Sequence, residues 1–188
     1  MKTASKLCLI AASLLMLGTG TGTAMAATVA PVKANNVELV HGSWADGSSW
    51  SEVITRLQAA GLHVTAVQNP LTSVADDVAA TNRVLDQQDG PTVLVGHSYA
   101  GTVVSDAGVN PKVSALVYVA ARAPDANEDF VALSARYPTM PVRAGVEEHD
   151  GYLTLSQDAF LKYFAADVPH AKALALYAVQ QPITKALF

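Results

Sequence analysis

The residues best suited to chemistry lie in the segment TVLVGHSYAG, residues 92–101. An apolar, β-branched run leads to Ser98, which has a small residue two positions before it, Gly96, and two positions after it, Ala100. This pattern predicts a strand, a sharp turn and a helix, with the serine hydroxyl held above the sheet in strained backbone. A serine in that position is typically a nucleophile, so we predict that Ser98 attacks a substrate carbonyl.

A serine nucleophile needs partners, and the sequence offers some of them. The backbone N–H of Tyr99, directly after the serine, is one predicted donor to a developing oxyanion. A second donor is expected from the loop after an earlier strand, where Gly42 lets the backbone approach closely and Ser43 carries the best-placed N–H. His41 is expected to organise that loop.

A base for the serine proton is harder to identify, because a serine alcohol normally relies on a histidine held by a carboxylate. His97 is adjacent to Ser98. Because the side chains of neighbouring residues on a sharp turn point in different directions, His97 is not expected to be the base. His63 begins a predicted strand, and His149 and His170 fall in the later part of the chain. Asp125 is a candidate acid, although a turn or helix-cap role is the favoured interpretation.

The elements that would position these residues alternate along the chain. Predicted strands cover 37–40, 63–67, 92–95 and 113–120, and predicted helices cover 50–57, 74–88 and 99–109. Alternating strands and helices predict βαβ units and a parallel sheet. The continuous apolar strands are typical of a sheet covered on both faces. The predicted fold class is therefore α/β, with a doubly wound, mostly parallel sheet.

The pattern changes after Pro124, where helical patterns separated by prolines replace the alternation. These patterns cover 128–137, 156–164 and 170–181. We therefore predict a core over 37–123 and a helical lid or cap over 124–188, preceded by a flexible mature N-terminus over 27–36.

The first 26 residues have the pattern of a signal peptide. Lys2 and Lys6 form a positive region, Leu7–Leu17 is apolar, and Ala24-Met25-Ala26 is a typical cleavage site. The alternative, an uncleaved membrane anchor, is disfavoured because the apolar region is too short to span a bilayer comfortably. We expect a periplasmic or secreted protein without stable membrane insertion after cleavage.

Composition excludes several classes of partner. The chain is 51% hydrophobic and 15% charged with a net charge of -4, and it contains no basic run, so no nucleic-acid partner is expected. No glycine-rich phosphate-binding motif and no cluster with metal-ligand spacing occurs in the sequence, so neither a cofactor nor a metal is predicted. The expected partner is a small molecule, and the oligomeric state is not indicated.

Two segments together resemble the α/β-hydrolase fold superfamily. These are HGSWADGSSW at 41–50 and VLVGHSYAG at 93–101, and they are closest to the small serine esterases and hydroxynitrile-lyase-like proteins. The resemblance covers about residues 37–188 and includes VYVAARAPD at 117–125. It implies that Ser98 is the nucleophile and that the amides of Ser43 and Tyr99 form the oxyanion hole. Ala100 stands where the superfamily usually has glycine, and it is small enough for the turn.

The same resemblance implies further strands after the lid, which carry first the acid and then the histidine of the triad. Residues 183–188 contain neither residue type, so on this resemblance the chain is expected to be truncated, with its last strands missing. A carboxylesterase-like hydrolase that cleaves small esters through an acyl-enzyme is the first hypothesis. The alternatives are a hydroxynitrile-lyase-like enzyme and an inactive fragment or binding relic that lacks the catalytic histidine and acid.

Overall fold

A four-stranded parallel sheet forms the centre of residues 34–187, the part of the chain that the computed structural model describes. Its strands are β1 (Asn36–Val40), β2 (His63–Ala66), β3 (Thr92–His97) and β4 (Val113–Val119). The strand order is β2-β1-β3-β4, and every neighbouring pair is parallel. The predicted signal peptide and most of the predicted flexible N-terminus lie outside the described residues. β1 begins at Asn36, one residue before the predicted strand.

Helices cover both faces of this sheet. Their bounds are α1 (Ser51–Ala59), α2 (Val74–Leu85) and α3 (Ala100–Ala107). On one face Val37 and Leu39 of β1 pack with the apolar side of α1, and on the other face Val40 packs with residues of α2 and α3. The prediction of an α/β fold with a doubly wound, mostly parallel sheet is confirmed.

Local signals set the helix ends. The Ser73 hydroxyl caps α2 by accepting the N–H of Asp76 at 3.0 Å. Gly61 follows α1 with φ +83°, a left-handed conformation that glycine adopts without strain.

The segment after β4, residues 124–187, is called the cap below. It contains α4 (Phe130–Ser134), β5 (Val146–His149), β6 (Tyr152–Leu155), α5 (Gln157–Ala159), α6 (His170–Ala178) and β7 (Ile183–Thr184). A π-helical turn over Phe160–Phe164 continues α5. The predicted helices occur in shortened form, and among them lies an antiparallel sheet, β5-β6-β7, that the sequence did not predict.

The strand order places a crevice at one position of the sheet. From β1 the chain passes to β2 on one side, and it then returns across β1 to β3 on the other side. In open α/β sheets, ligands bind outside the carboxyl ends of the strands at such a switch point. The segments that follow β1 and β3 are therefore the ones best placed to form a site. Within residues 34–187, no helix is long and apolar enough to cross a membrane.

Candidate active site

Ser98 lies at the turn between β3 and α3, half-buried, with φ +56°. The strand and helix come so close that a Cβ at Gly96 would lie 2.8 Å from Val104 Cγ2 and 2.9 Å from the Ala100 carbonyl oxygen. The Ser98 carbonyl accepts N–H groups from Gly101 at 3.1 Å and from Arg122 at 3.0 Å. The backbone of the serine is thus held from α3 and from the segment after β4.

The loop after β1 lies against this turn. A Cβ at Gly42 would be 2.9 Å from Ser98 Cβ and 3.1 Å from the His97 carbonyl oxygen, so only glycine allows the approach. Ser43, the next residue, is buried. The structure therefore brings the segment of Gly42 and Ser43 beside Ser98 and Tyr99, at the switch point of the sheet.

His41 fixes the loop after β1 to the loop after β2. It is fully buried, and its Nε2 accepts the backbone N–H of Asn69 at 3.0 Å. The ring proton is therefore on Nδ1, which donates to the Gly42 carbonyl at 2.9 Å. Burial lowers the pKa of His41, which favours this neutral form. Both ring nitrogens of His41 are therefore occupied by backbone partners that join the two loops.

The other histidines are placed differently. His97 is half-buried, packs edge-on against Trp50 with ring centroids 6.2 Å apart, and has its pKa lowered by burial. His63 lies at the opposite end of the sheet, where its Nδ1 is 3.1 Å from Asn36 Oδ1. His149 and His170 belong to the cap. Within residues 34–187, no histidine or carboxylate forms a hydrogen bond with the Ser98 hydroxyl.

Tyr99 is anchored by a contact that the sequence did not reveal. Its ring is buried, and its hydroxyl donates to Asp77 Oδ2 at 2.8 Å. Asp77 Oδ1 accepts the backbone N–H of Leu71 at 2.8 Å. Burial raises the pKa of the Asp77 carboxyl, and burial together with this hydrogen bond raises the pKa of Tyr99. Asp77 lies in the first turn of α2, where a carboxylate complements the helix dipole, and the sequence pattern gave no signal for its contact with Tyr99.

Asp125 is exposed and forms a turn. Its N–H donates to Glu128 Oε2 at 3.3 Å, and its carbonyl accepts the N–H of Glu128 at 3.0 Å. The favoured interpretation of Asp125 as a turn residue agrees with these contacts. Across the described residues, no group of three or more histidine, cysteine or carboxylate side chains is placed to hold a metal ion.

Strained backbone concentrates at the carboxyl ends of the sheet strands. Each of the four strands is followed by a non-glycine residue in the left-handed region, namely Trp44 (φ 57°), Leu71 (φ 55°), Ser98 (φ 56°) and Ala120 (φ 42°). Such conformations cluster at active sites and ligand clamps. The strained residues therefore lie at the same edge of the sheet as the switch point in the strand order.

The cap reaches this edge through two of the loops. Trp44 Nε1 donates to the Leu153 carbonyl of β6 at 3.2 Å, and the Trp44 ring packs edge-on against Phe164 at 6.1 Å. The N–H of Thr184 in β7 donates to the Leu71 carbonyl at 3.0 Å. The antiparallel sheet of the cap is therefore attached to the loops after β1 and β2.

Comparisons with known proteins agree with this architecture. A family model described as the alpha/beta hydrolase family matches residues 39–187. None of the curated proteins matches the chain. Several solved structures are similar in fold at identities below the level at which function transfers.

Three of these structures illustrate the similarity. Polyneuridine aldehyde esterase is 19% identical with a TM-score of 0.66, over 81% of this chain and 69% of that one. An extracellular alpha/beta-hydrolase from a Paenibacillus species, described as sharing structural and functional homology with tobacco salicylic acid binding protein 2, is 22% identical with a TM-score of 0.64, over 81% and 69%. Tomato methylketone synthase I in complex with 2-tridecanone is 17% identical with a TM-score of 0.61, over 80% and 67%.

Proposed function

We propose that this chain, which belongs to the alpha/beta hydrolase family, hydrolyses small carboxylic esters with Ser98 as the nucleophile. One observation carries the proposal: Ser98 lies in strained backbone at the carboxyl end of β3, and the loop of Gly42 packs directly against it. The esterase among the structures of similar fold supports an ester substrate.

The chemistry follows from this arrangement. Ser98 Oγ attacks the ester carbonyl carbon, and the carbonyl oxygen becomes an oxyanion that accepts the N–H groups of Ser43 and Tyr99. The alcohol leaves and the acyl group remains on Ser98, from which water releases it as the acid. The serine proton must pass to a base and then to the departing alcohol, and none of the histidines in residues 34–187 forms a hydrogen bond with the Ser98 hydroxyl.

The test combines turnover with covalent labelling. Hydrolysis of short-chain p-nitrophenyl esters is measured for the unmodified chain, for Ser98→Ala and for the matched control Ser114→Ala. The Ser114 hydroxyl donates to the Thr92 carbonyl at the far end of the sheet. We expect Ser98→Ala to lower kcat/KM by about 1,000-fold or more while Ser114→Ala leaves it unchanged.

Labelling identifies the nucleophile directly. A fluorophosphonate should attach to the peptide that contains Ser98, as read by mass spectrometry. Ester hydrolysis that survives Ser98→Ala, or a label on another residue, would overturn the proposal.

A second candidate function is ligand binding without turnover. The observation that favours it is that the Ser98 hydroxyl lacks a hydrogen bond to a histidine within residues 34–187. This candidate predicts that a small ester raises the melting temperature of the unmodified chain while no product forms and no fluorophosphonate label appears.

We also propose that the chain is exported, on the basis of the signal-peptide pattern in residues 1–26. Expression of the full chain in a bacterium should yield a periplasmic or secreted product whose N-terminal sequence begins at Ala27. A cytoplasmic product that retains Met1 would contradict this.

A further inference from the structure

Behind the serine turn, one buried carboxylate joins two backbone segments of the site. Asp77 is fully buried, with Oδ2 accepting from the Tyr99 hydroxyl and Oδ1 accepting from the Leu71 N–H, both at 2.8 Å. Tyr99 and Leu71 are buried as well. Each carboxylate oxygen therefore holds a different part of the chain.

Capping α2 does not require a carboxylate at this position. The cap is made by Ser73, whose hydroxyl accepts the Asp76 N–H at 3.0 Å and whose carbonyl accepts the Asp77 N–H at 3.1 Å. The preceding residue, Asp76, is exposed and already complements the helix dipole. A carboxylate buried among neutral donors is costly, and in return its hydrogen bonds are roughly twice as strong as neutral ones.

Of the two residues that Asp77 binds, one is a proposed oxyanion donor and the other belongs to a segment bonded to the loop of the second donor. Tyr99 is itself one of the proposed oxyanion donors. Leu71 belongs to the segment after β2, in which Asn69 donates its backbone N–H to His41 Nε2 at 3.0 Å and its side-chain amide to the His41 carbonyl at 3.4 Å. Gly42 and Ser43 follow His41 directly, so segment 69–71 is tied to the loop that carries the other proposed donor.

These contacts form a continuous connection from one donor to the other. It runs from Tyr99 through Asp77 to Leu71, and from Asn69 through His41 to the loop of Ser43. In this connection Asp77 joins Tyr99, in the serine turn, to Leu71, in the segment after β2. Removal of its charge weakens this junction while the nucleophile and both amides remain present.

We propose that Asp77 is a positioning residue for the oxyanion site, which fixes the Tyr99 N–H relative to the Ser43 N–H. This inference rests on the proposed function of Ser98. Asp77 acts through Tyr99 and Leu71, without contact with the substrate. Because the oxyanion exists only as the transition state is approached, weaker positioning lowers kcat and leaves KM nearly unchanged.

The first test is Asp77→Asn, with Asp76→Asn as the matched control on the same helix. The asparagine oxygen retains the bond from the Leu71 N–H, and its amide group faces the Tyr99 hydroxyl in place of a charged acceptor. Asp76 also accepts two side-chain hydrogen bonds, from Thr72 at 2.8 Å and Ser73 at 2.7 Å, but at the surface. We expect Asp77→Asn to lower kcat by about 10- to 100-fold, because small displacements of catalytic groups have effects of this size. KM should change by less than about threefold, and Asp76→Asn should alter neither constant.

The second test is the double-mutant combination of Asp77→Asn with Tyr99→Phe. If the two residues act on kcat as one unit, the double variant should be no slower than the slower single variant. Urea unfolding of every variant at the assay pH establishes the conditions under which each is folded, and kcat is compared only under those conditions.

The outcomes separate the inference from the proposed function. Ser98-dependent hydrolysis whose kcat is unchanged by Asp77→Asn in the folded variant would overturn the inference and leave the proposed function intact. An equal loss of kcat in Asp76→Asn, or a fully additive loss in the double variant, would also overturn it. Hydrolysis by the unmodified chain that does not depend on Ser98 would refute the proposed function itself.

Discussion

Replacement of Glu38 by glutamine is expected to stabilise the fold at neutral and alkaline pH. Glu38 lies in the middle of β1, between β2 and β3, and it is completely buried. Within the described residues neither of its carboxylate oxygens has a hydrogen-bond partner. Burial raises the pKa of Glu38 from 4.5 to about 8, because the apolar interior disfavours the charged form. The folded chain therefore holds this carboxyl mainly protonated at neutral pH.

The size of the effect follows from the two pKa values. Between pH 4.5 and about 8 the unfolded chain has released the Glu38 proton and the folded chain has retained it. Stability therefore falls as pH rises through this window, since the folded state binds more protons than the unfolded state. A separation of about 3.5 units, at about 1.4 kcal/mol per unit, corresponds to a loss of about 5 kcal/mol. That loss is comparable to the whole folding free energy of a marginal domain, which is about 5 kcal/mol.

Urea unfolding at several pH values from about 3 to about 9 measures this loss. The two tryptophans of the chain, Trp44 and Trp50, are both buried, so their fluorescence reports unfolding. Glutamine has nearly the shape of protonated glutamate and does not titrate. The difference in unfolding free energy, Glu38→Gln minus the unmodified chain, should rise by about 5 kcal/mol between about pH 4 and about pH 8. The matched control is Glu147→Gln on the exposed face of β5.

The deciding quantity is the difference in unfolding free energy between Glu38→Gln and the unmodified chain, followed as a function of pH. Titratable groups other than Glu38 contribute equally to both proteins, so their contributions cancel in this difference. Curves for Glu38→Gln and the unmodified chain that run parallel from pH 4.5 to 8 would refute the reasoning. A difference that develops below pH 4.5 would have the wrong sign, because it would mean that the fold prefers the ionised carboxylate.

Two further substitutions test the loop after β1. In Gly42→Ala the new Cβ would lie 2.9 Å from Ser98 Cβ, so the loop must move by about half an ångström, and we expect kcat for ester hydrolysis to fall by about 10- to 100-fold. Gly90→Ala is its control, since a Cβ there meets only Asn36 Nδ2 at 3.9 Å, and equal kcat in the two variants would contradict the expectation. Trp44→Phe removes the hydrogen bond from Nε1 to the Leu153 carbonyl and should lower the free energy of urea unfolding by about 1–2 kcal/mol. A stability equal to that of the unmodified chain would show that this attachment of the cap contributes nothing.

Features governed by neighbouring residues could be predicted from the sequence. The positive φ of Ser98 and the tight approach at Gly96 each depend on a few adjacent positions. The alternation of strands and helices fixed the parallel sheet because a parallel connection requires a crossover element. The loop of Gly42 and Ser43 was predicted to supply a second oxyanion donor beside Ser98, and Gly42 does pack against Ser98.

Features that depend on distant packing could not be predicted. β7 has only two residues, and its pairing of Ile183 with Leu153 gives no local pattern. The contact between Asp77 and Tyr99 exists only once α2 and α3 lie side by side. The sequence predicted a sheet covered on both faces, but it gave no signal that Glu38 would be buried there without a hydrogen-bond partner among the described residues.

The strained residues give a location for the site that does not depend on the serine motif. A non-glycine residue in the left-handed region costs about 1–3 kcal/mol, and it persists only where surrounding contacts impose it. At Leu71 those contacts come from Asp77 on α2 and from Thr184 in the cap, and at Ser98 they come from α3 and from the segment after β4. Leu71 and Ser98 are therefore both held by elements other than the strand that each follows. Because such residues follow all four strands at one edge, the stabilising contacts of several elements converge on the edge where the two proposed oxyanion donors lie.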